Sequence, residues 1–343
     1  MIYTLPYQKS CTICIGACIL TASWTERIKI NPLAILLRTD DKALLYLTER
    51  DLLGSGSGSV EVLWELPAER KILDRQQPDG FWLYKGNRPG DEFGEAYDLL
   101  ETWKTPRILV EMFRFNRSHP AISRAAEYIF SYQTKEGDIR GILSNQYMPY
   151  YMGAILEILI KTGYEKDERV EKSLHWFLGM WQDDGGWIAP LLLYKMNDYN
   201  KICNQPPVQP QRNLPFSHMV SGMVIRAFAA HPHYRKSLET ERTEILLKGR
   251  FFQKDAYTSR QAESYWVKFQ FPFWWTNLLT VMDLLMCMEF PSQDEDIQKG
   301  LDWLIDNQGE DGLWKANYGK TGVTNPDYWV TFAICWILKY FLD

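Results

Sequence analysis

The sequence has no basic surplus, no disulfide framework and no apolar run suited to crossing a membrane. Its 343 residues carry a formal net charge of −5 with both signs interspersed, so the footprint of a nucleic-acid-binding protein is missing. Two apolar runs lie at 269–290 and 328–342. The first contains Asp283 and Pro272, and the second is too short to span a bilayer. Both are predicted to be buried helices, and only peripheral membrane contact is left open.

The six cysteines are too few and too scattered to form a disulfide framework in a chain of this length. Reduced thiols and a cytoplasmic location are the default expectation. Cys11, Cys14 and Cys18 have a spacing that can hold a metal, but no second Cys/His pair follows nearby, and cluster sites use four ligands. The same segment is also apolar enough for a short signal-peptide core. A cytosolic N-terminal arm over 1–29 is favoured over both alternatives.

Aromatic residues and an internal repeat are what the sequence has in excess. Aromatic residues make up 14% of the chain, and Trp alone occurs 14 times. The aromatic rings therefore either fill the core or line a cavity. Five times a helix-like stretch runs into a Gln and a short polar turn, usually with a Gly and an aromatic residue. The copies lie at Gln77, Gln133, Gln182, Phe252 and Gln308. A period of roughly 50 residues predicts an array of one supersecondary unit whose members cover each other's apolar faces.

Apolar residues with a period of 3.6 predict twelve helices. They lie near 30–38, 42–53, 59–76, 98–115, 119–133, 147–162, 167–182, 216–232, 236–253, 271–288, 294–308 and 326–342. Helices that end in the Gln turns have one charged face and can lie next to water. Their partners are apolar nearly all round and must be covered on every side. Six outer and six inner helices that alternate in this way predict an all-α fold, an (α/α)6 toroid forming a single domain over 30–343.

One interval of the repeat is longer than the others. From Gln182 to Gln253 the chain carries roughly twenty extra residues, and such long loops in compact domains are usually lids or binding loops. The extra residues fall in a Pro-rich loop near 195–214. The sequence therefore predicts that this loop is inserted into the domain and serves binding.

The Gln-x(2–4)-Gly-x-Trp turns resemble the QW repeats of squalene–hopene cyclases and related class II terpenoid cyclases. Protein prenyltransferase β-subunits have their repeats at the same places. Three further segments are similar to a group of uncharacterised prokaryotic squalene-cyclase-like proteins, namely 31–37, 43–54 and 269–275. The resemblance covers roughly 60 to 343 and implies a toroid that acts on or binds an isoprenoid. It does not supply a known reaction.

The resemblance also implies a place for an acid. Class II cyclases protonate an alkene with an Asp-x-Asp-Asp-Thr motif, because a carbocation cannot be started without a strong, desolvated acid. The corresponding stretch here keeps Asp327 and Thr331 but has Trp329 and Val330 in the middle, so the usual proton donor is missing. A buried carboxyl without a partner has a raised pKa, although one bonded to a helix end or an arginine is equally common. The remaining candidate acids on or near inner helices are Asp283, Asp327, Glu101 and Glu157.

Protein prenyltransferases instead use a zinc site with Asp, Cys and His ligands. Asp283 and Cys287 lie one turn apart, but no His is near them in the sequence. His218 opens a predicted helix, and Cys203 precedes it on the Pro-rich loop. No cofactor is predicted, and zinc or magnesium remains an unsupported alternative.

Aromatic residues begin the predicted inner helices. In a toroid these starts converge on one mouth, so their rings can line a cavity for an isoprenoid or other apolar chain and can stabilise cations. The alternative is that the rings only fill the space between helices. The candidate lining residues are Trp103, Tyr147, Tyr150, Tyr151, His218, Trp274, Trp275, Tyr328 and Trp329.

Three functions remain open from the sequence. The first is an enzyme of the terpenoid cyclase or prenyltransferase type with an altered acid site. The second is a non-catalytic toroid that binds an apolar ligand or a protein. The third is a glycan-active enzyme, which needs two carboxylates about 5–10 Å apart across a cleft. The Gln turns favour the first two functions, because they resemble those of terpenoid-type toroids.

Overall fold

A computed structural model describes residues 23–55, 58–86, 96–195, 198–257, 262–319 and 322–343. In these ranges the regular secondary structure is helical, with three isolated β-bridges and no strand. The all-α class predicted from the sequence is therefore confirmed. The candidate metal ligands Cys11, Cys14 and Cys18, and most of the predicted N-terminal arm, lie outside the described residues.

The described ranges contain thirteen α-helices. They are α1 (Leu33–Leu36), α2 (Lys42–Leu47), α3 (Pro67–Leu73), α4 (Tyr97–Phe113), α5 (Pro120–Phe130), α6 (Pro149–Leu159), α7 (Glu168–Gly179), α8 (Tyr199–Ile202), α9 (His218–Ala230), α10 (Leu238–Lys248), α11 (Leu278–Cys287), α12 (Glu295–Asp306) and α13 (Pro326–Leu342). Short 3-10 segments are Ser23–Arg27, Val60–Glu65, Pro190–Leu193, Tyr234–Lys236 and Glu263–Val267, and π-helical turns extend α2 over Thr48–Leu52 and α6 over Ile160–Tyr164. Each of the twelve predicted positions contains helix, and the additional helix, α8, is a single turn in the Pro-rich loop.

The chain divides into two compact units. Trp64–Ala262 forms the central unit, and Met1–Leu63 with Glu263–Asp343 forms the terminal unit. In the central unit α4 packs on α6, and α6 packs extensively on α9. Helices α3 and α5 pack on α4, α10 packs on α9, and α7 packs on both α6 and α9. Helices α6 and α9 are buried along almost their whole length, whereas α7 and α10 bury only one stripe. This succession of half-exposed and buried helices is consistent with an α/α toroid.

The close packing of α6 on α9 depends on a glycine. A Cβ atom at Gly153 would lie 2.6 Å from the carbonyl oxygen of Met223 and 2.6 Å from the Cα of Val224. Both of these are backbone atoms, so neither can swing aside for a side chain. A larger residue at this position would therefore force the two buried helices apart.

In the terminal unit α13 is the buried helix. It packs on α11, on the π-helical turn after α2 and on the 3-10 segment Ser23–Arg27, while α12 packs on α11. The first turn of α2 is capped by Asp41, whose side chain accepts hydrogen bonds from the amides of Ala43 and Leu44, both at 3.1 Å. The alternation seen in the central unit thus continues here, with α12 amphipathic between the two buried helices α11 and α13.

Three of the five Gln turns share one hydrogen-bond pattern, and it corrects the register of the first copy. The Gln Nε2 donates to the carbonyl of the Gly four residues later and to a second carbonyl more distant in sequence. The donors and second acceptors are Gln76 to Ala121 at 2.8 Å, Gln133 to Arg169 at 2.6 Å and Gln308 to Ile30 at 2.6 Å. Gln77 instead donates to the neighbouring carbonyl of Arg75. The sequence-based register at Gln77 is therefore wrong by one residue, because two glutamines stand side by side there.

The Trp that follows a turn is held at both of its nitrogen atoms. Its indole Nε1 donates to the carbonyl ten residues earlier, at the end of the outer helix, and its backbone N–H donates to a hydroxyl on an inner helix. The residues, with indole and amide acceptors, are Trp82 (Ile72 and Thr102), Trp187 (Phe177 and Ser221) and Trp314 (Leu304 and Thr331). Each Trp therefore fixes an outer helix to an inner one within its unit.

The Pro-rich loop is fastened by two buried glutamines. Gln146, only 1% exposed, donates to the carbonyl of Ile202 at 2.7 Å and accepts from the amide of Val208 at 2.9 Å. Gln182, also 1% exposed, donates to the carbonyls of Gln211 and Leu214 at 2.8 and 2.9 Å. In the third copy Trp181 occupies the position of the turn Gln, and Gln182, which corresponds to Gln77 of the first copy, holds the insertion.

We expect Gln146→Ala to loosen this loop without unfolding the helices. Removing the side chain leaves buried loop carbonyls and an amide without partners, which costs about 1–3 kcal/mol locally. Hydrogen exchange of residues 199–214 should accelerate while α6 and α9 stay protected. Gln209→Ala is the matched control, because Gln209 lies on the same loop but is exposed and bonds only to Pro207. Equal acceleration in both variants would contradict the assignment of Gln146 as the anchor.

Candidate functional site

Three predicted lining residues of the central unit form an aromatic cluster at the N-terminal halves of α4 and α6. This cluster consists of Trp103, Tyr150 and Tyr151. The ring centroids of Trp103 and Tyr151 are 5.9 Å apart with an edge-on arrangement, and those of Tyr150 and Tyr151 are 4.6 Å apart. Trp103 is 1% exposed and Tyr150 8% exposed, while Tyr151 is half-buried. The cluster therefore offers one partly open ring on a buried aromatic base.

Tyr147, although it precedes the same helix, faces elsewhere. Its ring packs 5.2 Å from Trp176 of the outer helix α7, and the guanidinium of Arg140 lies 4.8 Å from the ring centroid. Trp176 belongs to an open surface groove of about 430 Å³, lined by Glu136, Glu168, Glu171, Lys172, His175 and Trp176. The sequence grouped Tyr147 with Tyr151 by position along the chain, but the structure separates the surroundings of the two rings.

His218 at the start of α9 is paired with a buried carboxylate that sequence reasoning missed. His218 Nδ1 lies 3.6 Å from Asp255 Oδ2, and burial lowers the pKa of His218 although Asp255 opposes this. Asp255 also accepts hydrogen bonds from the hydroxyl of Ser217 at 2.7 Å and the amide of Met219 at 3.0 Å. Asp255 therefore holds the first turn of α9, whose N-cap is Ser217. Its position in the degenerate copy at Phe252 was the signal that could have revealed it.

The candidate lining residues of the terminal unit are mostly packed into its interior. Trp329 is fully buried, its indole donates to Asp41 Oδ2 at 2.9 Å, and its ring stacks on Phe271 with an interplanar angle of 3°. These contacts tie α13 to the start of α2. Trp274 and Tyr328 are half-buried, and Trp275 is 8% exposed with its ring 6.0 Å from that of Trp274.

Asp327 makes the contacts of a repeated structural element. Its Oδ1 accepts from the amide of Ala316 at 2.8 Å and its Oδ2 lies 3.1 Å from Lys315 Nζ. Asp98 makes the same bond in the central unit, accepting from the amide of Tyr84 at 2.7 Å. In both units the Asp stands four residues before the Thr that holds a turn Trp. A half-exposed carboxylate with an amide and an ammonium partner is not a desolvated acid.

The other predicted acids have different surroundings. Glu101 is half-buried on α4 and interacts electrostatically with Lys104, whose pKa is lowered mainly by burial. Asp283 is the one acidic residue of α11 and is half-buried between the buried side chains of Met282 and Leu284. The structure does not bring Glu101 together with Asp283 in one described unit, since they belong to the central and the terminal unit respectively.

Glu157, the fourth predicted acid, belongs to a charged cluster on three helices of the central unit. The charged cluster consists of Arg107, Glu111, Arg114, Glu157, Lys161 and Arg226. Lys161 Nζ lies 2.6 Å from Glu111 Oε1 and 2.8 Å from Glu157 Oε1. Arg226 Nη2 lies 2.7 Å from Glu157 Oε2. Glu157 is thus doubly ion-paired, the alternative to a free acid that the sequence left open.

Positive charge dominates this cluster. Arg107 is 5% exposed, and burial together with the charge of Arg226 lowers the pKa of Arg107 to about 9. Burial pushes the pKa of Glu111 up, but Lys161 and Arg114 outweigh it and hold the pKa below its ordinary value. The charged form of Arg107 is therefore disfavoured, and the charged form of Glu111 is favoured.

Two buried glutamates were also missed. Glu69 on α3 and Glu244 on α10 are both 0% exposed, and none of their carboxyl oxygens has a hydrogen-bond partner among the described residues. Both stand seven residues before the position of the turn Gln, which is Gln76 in one copy and Phe251 in the other. The equivalent residues of the remaining copies are the buried Ala126, Leu174 and Leu301. An alignment of the copies in the corrected register would have revealed both glutamates.

No group of three or more His, Cys, Asp or Glu residues within the described ranges is arranged to hold a metal ion. Cys203 is buried on the Pro-rich loop, where its carbonyl accepts from the amide of Asn145 at 2.9 Å. Among the residues that the structure describes, every helix is too short or too polar to cross a membrane.

Comparisons with known proteins give only distant matches. No family model matches the sequence, and no curated protein matches it. A variant of the type II terpene cyclase MstE from Scytonema, solved with its substrate geranylgeranyl dihydroxybenzoate, matches at 12% identity and a TM-score of 0.34, covering 80% of this chain and 95% of that chain. Apo MstE matches at 13% identity and 0.30, with 80% and 95% covered, and a protein from Actinoplanes at 13% and 0.28, with 80% and 96% covered. At such values neither reaction nor substrate transfers to this chain.

Proposed function

We propose that this protein is a terpenoid-cyclase-like toroid that binds an isoprenoid or other apolar chain against the aromatic cluster of Trp103, Tyr150 and Tyr151. The observation that supports this is the partly open ring of Tyr151 on two buried rings, at the N-terminal halves of two adjacent inner helices. Aromatic rings give an apolar chain a large, rigid contact area at a small cost in side-chain entropy. The resemblance of the Gln turns to those of terpenoid cyclases agrees with such a ligand.

Binding of geranylgeraniol, an apolar chain with a neutral head, tests the proposal. Tyr151→Ala is expected to raise the Kd about tenfold, which corresponds to ~1.4 kcal/mol of lost ring contact. Tyr147→Ala is the matched control, because it removes the same side chain from the other side of the α6 start, where the ring faces Trp176. Isothermal titration calorimetry measures both variants. Equal affinities of the two variants, or no binding by the wild type, would overturn the proposal.

Catalysis is a second candidate function, and Asp283 is the residue that favours it. It is the one acid of α11, and most of that helix is buried. An acid that protonates an alkene must be shielded from water, and Asp283 is half-buried next to the buried Met282 and Leu284. Incubation with geranylgeranyl diphosphate and squalene, followed by product analysis, is expected to show a product that Asp283→Asn abolishes. Turnover that persists in Asp283→Asn would remove Asp283 as the acid, and the absence of any product would leave binding as the function.

A further inference from the structure

Helix α10 has its polarity reversed relative to an ordinary outer helix. Three of its four buried side chains are polar, and the buried set is Thr240, Thr243, Glu244 and Leu247. On the side that faces water, Leu238 is 79% exposed and Ile245 is 50% exposed. Because these two residues are seven positions apart, they lie on one face of the helix, about 10 Å apart along its axis. The outer side of α10 is therefore apolar where contact with water favours charge.

Comparison of the copies of the repeat shows that this apolar side is particular to α10. Ile245 stands six residues before Phe251, which holds the turn position of its copy. The residues at the same position in the other four copies are exposed and polar, namely Arg70, Glu127, His175 and Asp302. Leu238 is the first residue of α10, whereas α7 and α12 begin with Glu168 and Glu295. The packing of the repeat therefore does not require an apolar residue at either position.

Arg242 lies between Leu238 and Ile245 on the same side of α10 but is turned aside. Its guanidinium carbon is 5.6 Å from the centroid of the Trp181 ring, and its Nη2 donates to the carbonyl of Asp183 at 3.3 Å. The attraction between a guanidinium and an aromatic face favours this position. One apolar surface can therefore cover Leu238 and Ile245 together.

The charges on α10 are ordered so that the helix complements a second copy of itself. Glu239 and Glu241 lie in the first turn, and Lys248 lies in the last. If two copies of α10 pack antiparallel with Ile245 at the centre, Glu241 of one helix is level with Lys248 of the other. Glu241 and Lys248 are seven positions apart and so lie on one side of the helix, which brings both opposite-charge pairs together across a two-fold axis. Leu238 and Ile245 are then enclosed between the helices.

We propose that α10 forms the interface of a homodimer, in which the α10 helices of two copies pack antiparallel about a two-fold axis. The helix has 11 residues, so it is about 16 Å long and about 10 Å wide. A contact of this size is smaller than the ~800 Å² per partner of a standard protein interface. The dimer is therefore weak and reversible, with a Kd on the order of 10–100 µM. It does not depend on the ligand proposed for the aromatic cluster.

Sedimentation equilibrium measures this association. Between about 1 and 200 µM protein, the average mass should rise from 40.3 kDa towards twice that value. Leu238→Glu and Ile245→Glu introduce the residue type that Glu168 and Glu127 provide at the same positions of other copies, so both variants should fold. Each should raise the Kd of the dimer at least about tenfold. Leu83→Glu is the matched control, because Leu83 is 48% exposed and lies outside α10.

Reversal of single charges tests the antiparallel arrangement. Glu241→Lys and Lys248→Glu each bring like charges together in a homodimer, so each variant should associate about threefold or more weakly than the wild type at low salt. An equimolar mixture of the two variants restores both opposite-charge contacts and should dimerise at least as tightly as the wild type. Mixing repairs a contact between chains and does not repair a fold damaged within one chain.

Other results would overturn the homodimer. A wild type that stays monomeric at about 200 µM has no such interface. Dimerisation that persists in both Leu238→Glu and Ile245→Glu would place the interface elsewhere, and a mixture of the charge variants that fails to dimerise would exclude antiparallel pairing. If Leu238→Glu lowers the melting temperature of a monomer, the chain covers Leu238 itself. If a monomeric wild type cosediments with vesicles of phosphatidylserine and phosphatidylcholine and Leu238→Glu does not, a lipid surface is the occupant instead.

Discussion

Replacing Trp187 by alanine is expected to lower the free energy of unfolding by about 3–5 kcal/mol. Trp187 is fully buried, and its ring stacks at 5.6 Å on Phe228 of α9 and meets Phe177 of α7 at 6.3 Å. Its indole donates to the carbonyl of Phe177 at 2.8 Å and its amide to the hydroxyl of Ser221 at 2.8 Å. Alanine keeps the backbone hydrogen bond to Ser221 but leaves a cavity between an outer and an inner helix.

Chemical denaturation measures this loss, and two variants separate its causes. Trp187→Phe keeps much of the ring volume and loses the indole donor, so about 1–2 kcal/mol is expected from the lost hydrogen bond and residual void. Trp176→Ala removes the same side chain from half-buried surroundings on α7 and should cost less than half as much as Trp187→Ala. If Trp176→Ala and Trp187→Ala cost the same, the turn Trp is not a special link between helices.

Helix positions could be predicted because they depend on an apolar pattern over many residues, which one ambiguous residue does not change. A 3.6-residue period over ten or more residues identifies α7 or α12 even when individual positions are ambiguous. The register of a turn depends on one residue, and adjacent Gln76 and Gln77 are indistinguishable by type. Only the hydrogen bonds from Gln76 to Gly80 and Ala121 decide between them. The insertion was visible as a long interval, but its anchor Gln146 was not, because Gln146 lies outside the repeat.

The residue types of the candidate site could be predicted from the sequence, but the neighbours that each side chain faces were harder to predict. Tyr147 and Tyr151 are one helical turn apart, yet one packs on Trp176 and the other on Trp103. A sequence gives the residue at a helix start, whereas the neighbouring helices decide which ring is covered. For the same reason the charged cluster could not be assembled beforehand, since Glu157 meets Arg226 only through the packing of α6 on α9.

Asp327 shows that a residue singled out by a family motif can also have a structural role. The resemblance singled out Asp327 because it keeps the first residue of an acid motif. The bond from the amide of Ala316 to Asp327 recurs between Tyr84 and Asp98, so it belongs to the repeat. The signal was present in the sequence as Asp-x-x-x-Thr at both Asp98 and Asp327. A catalytic role for Asp327 stays a prediction, tested by Asp327→Asn in the product assay.

Glu244→Leu is expected to stabilise the protein by about 3 kcal/mol at pH 8, against the usual effect of a substitution in a core. Burial raises the pKa of Glu244 well above its ordinary value, and the charge of Glu241 adds to the rise. The equivalent positions of two other copies hold Leu174 and Leu301, so the pocket between the helices is of a kind that accepts leucine.

The pH dependence of this gain follows from the direction of the shift. Because the folded state holds the proton of Glu244 more tightly than the unfolded state, its stability is highest below the ordinary carboxyl pKa and falls as pH rises towards the raised value. Glu244→Leu should remove this slope, so the gain over the wild type is smaller at pH 5 than at pH 8. Glu241→Gln on the same helix, where the side chain is exposed, is the control. If the free energies of unfolding of Glu244→Leu and the wild type instead change in parallel from pH 5 to pH 8, Glu244 is already ionised in the folded state. The buried pocket must then contain a counter-ion.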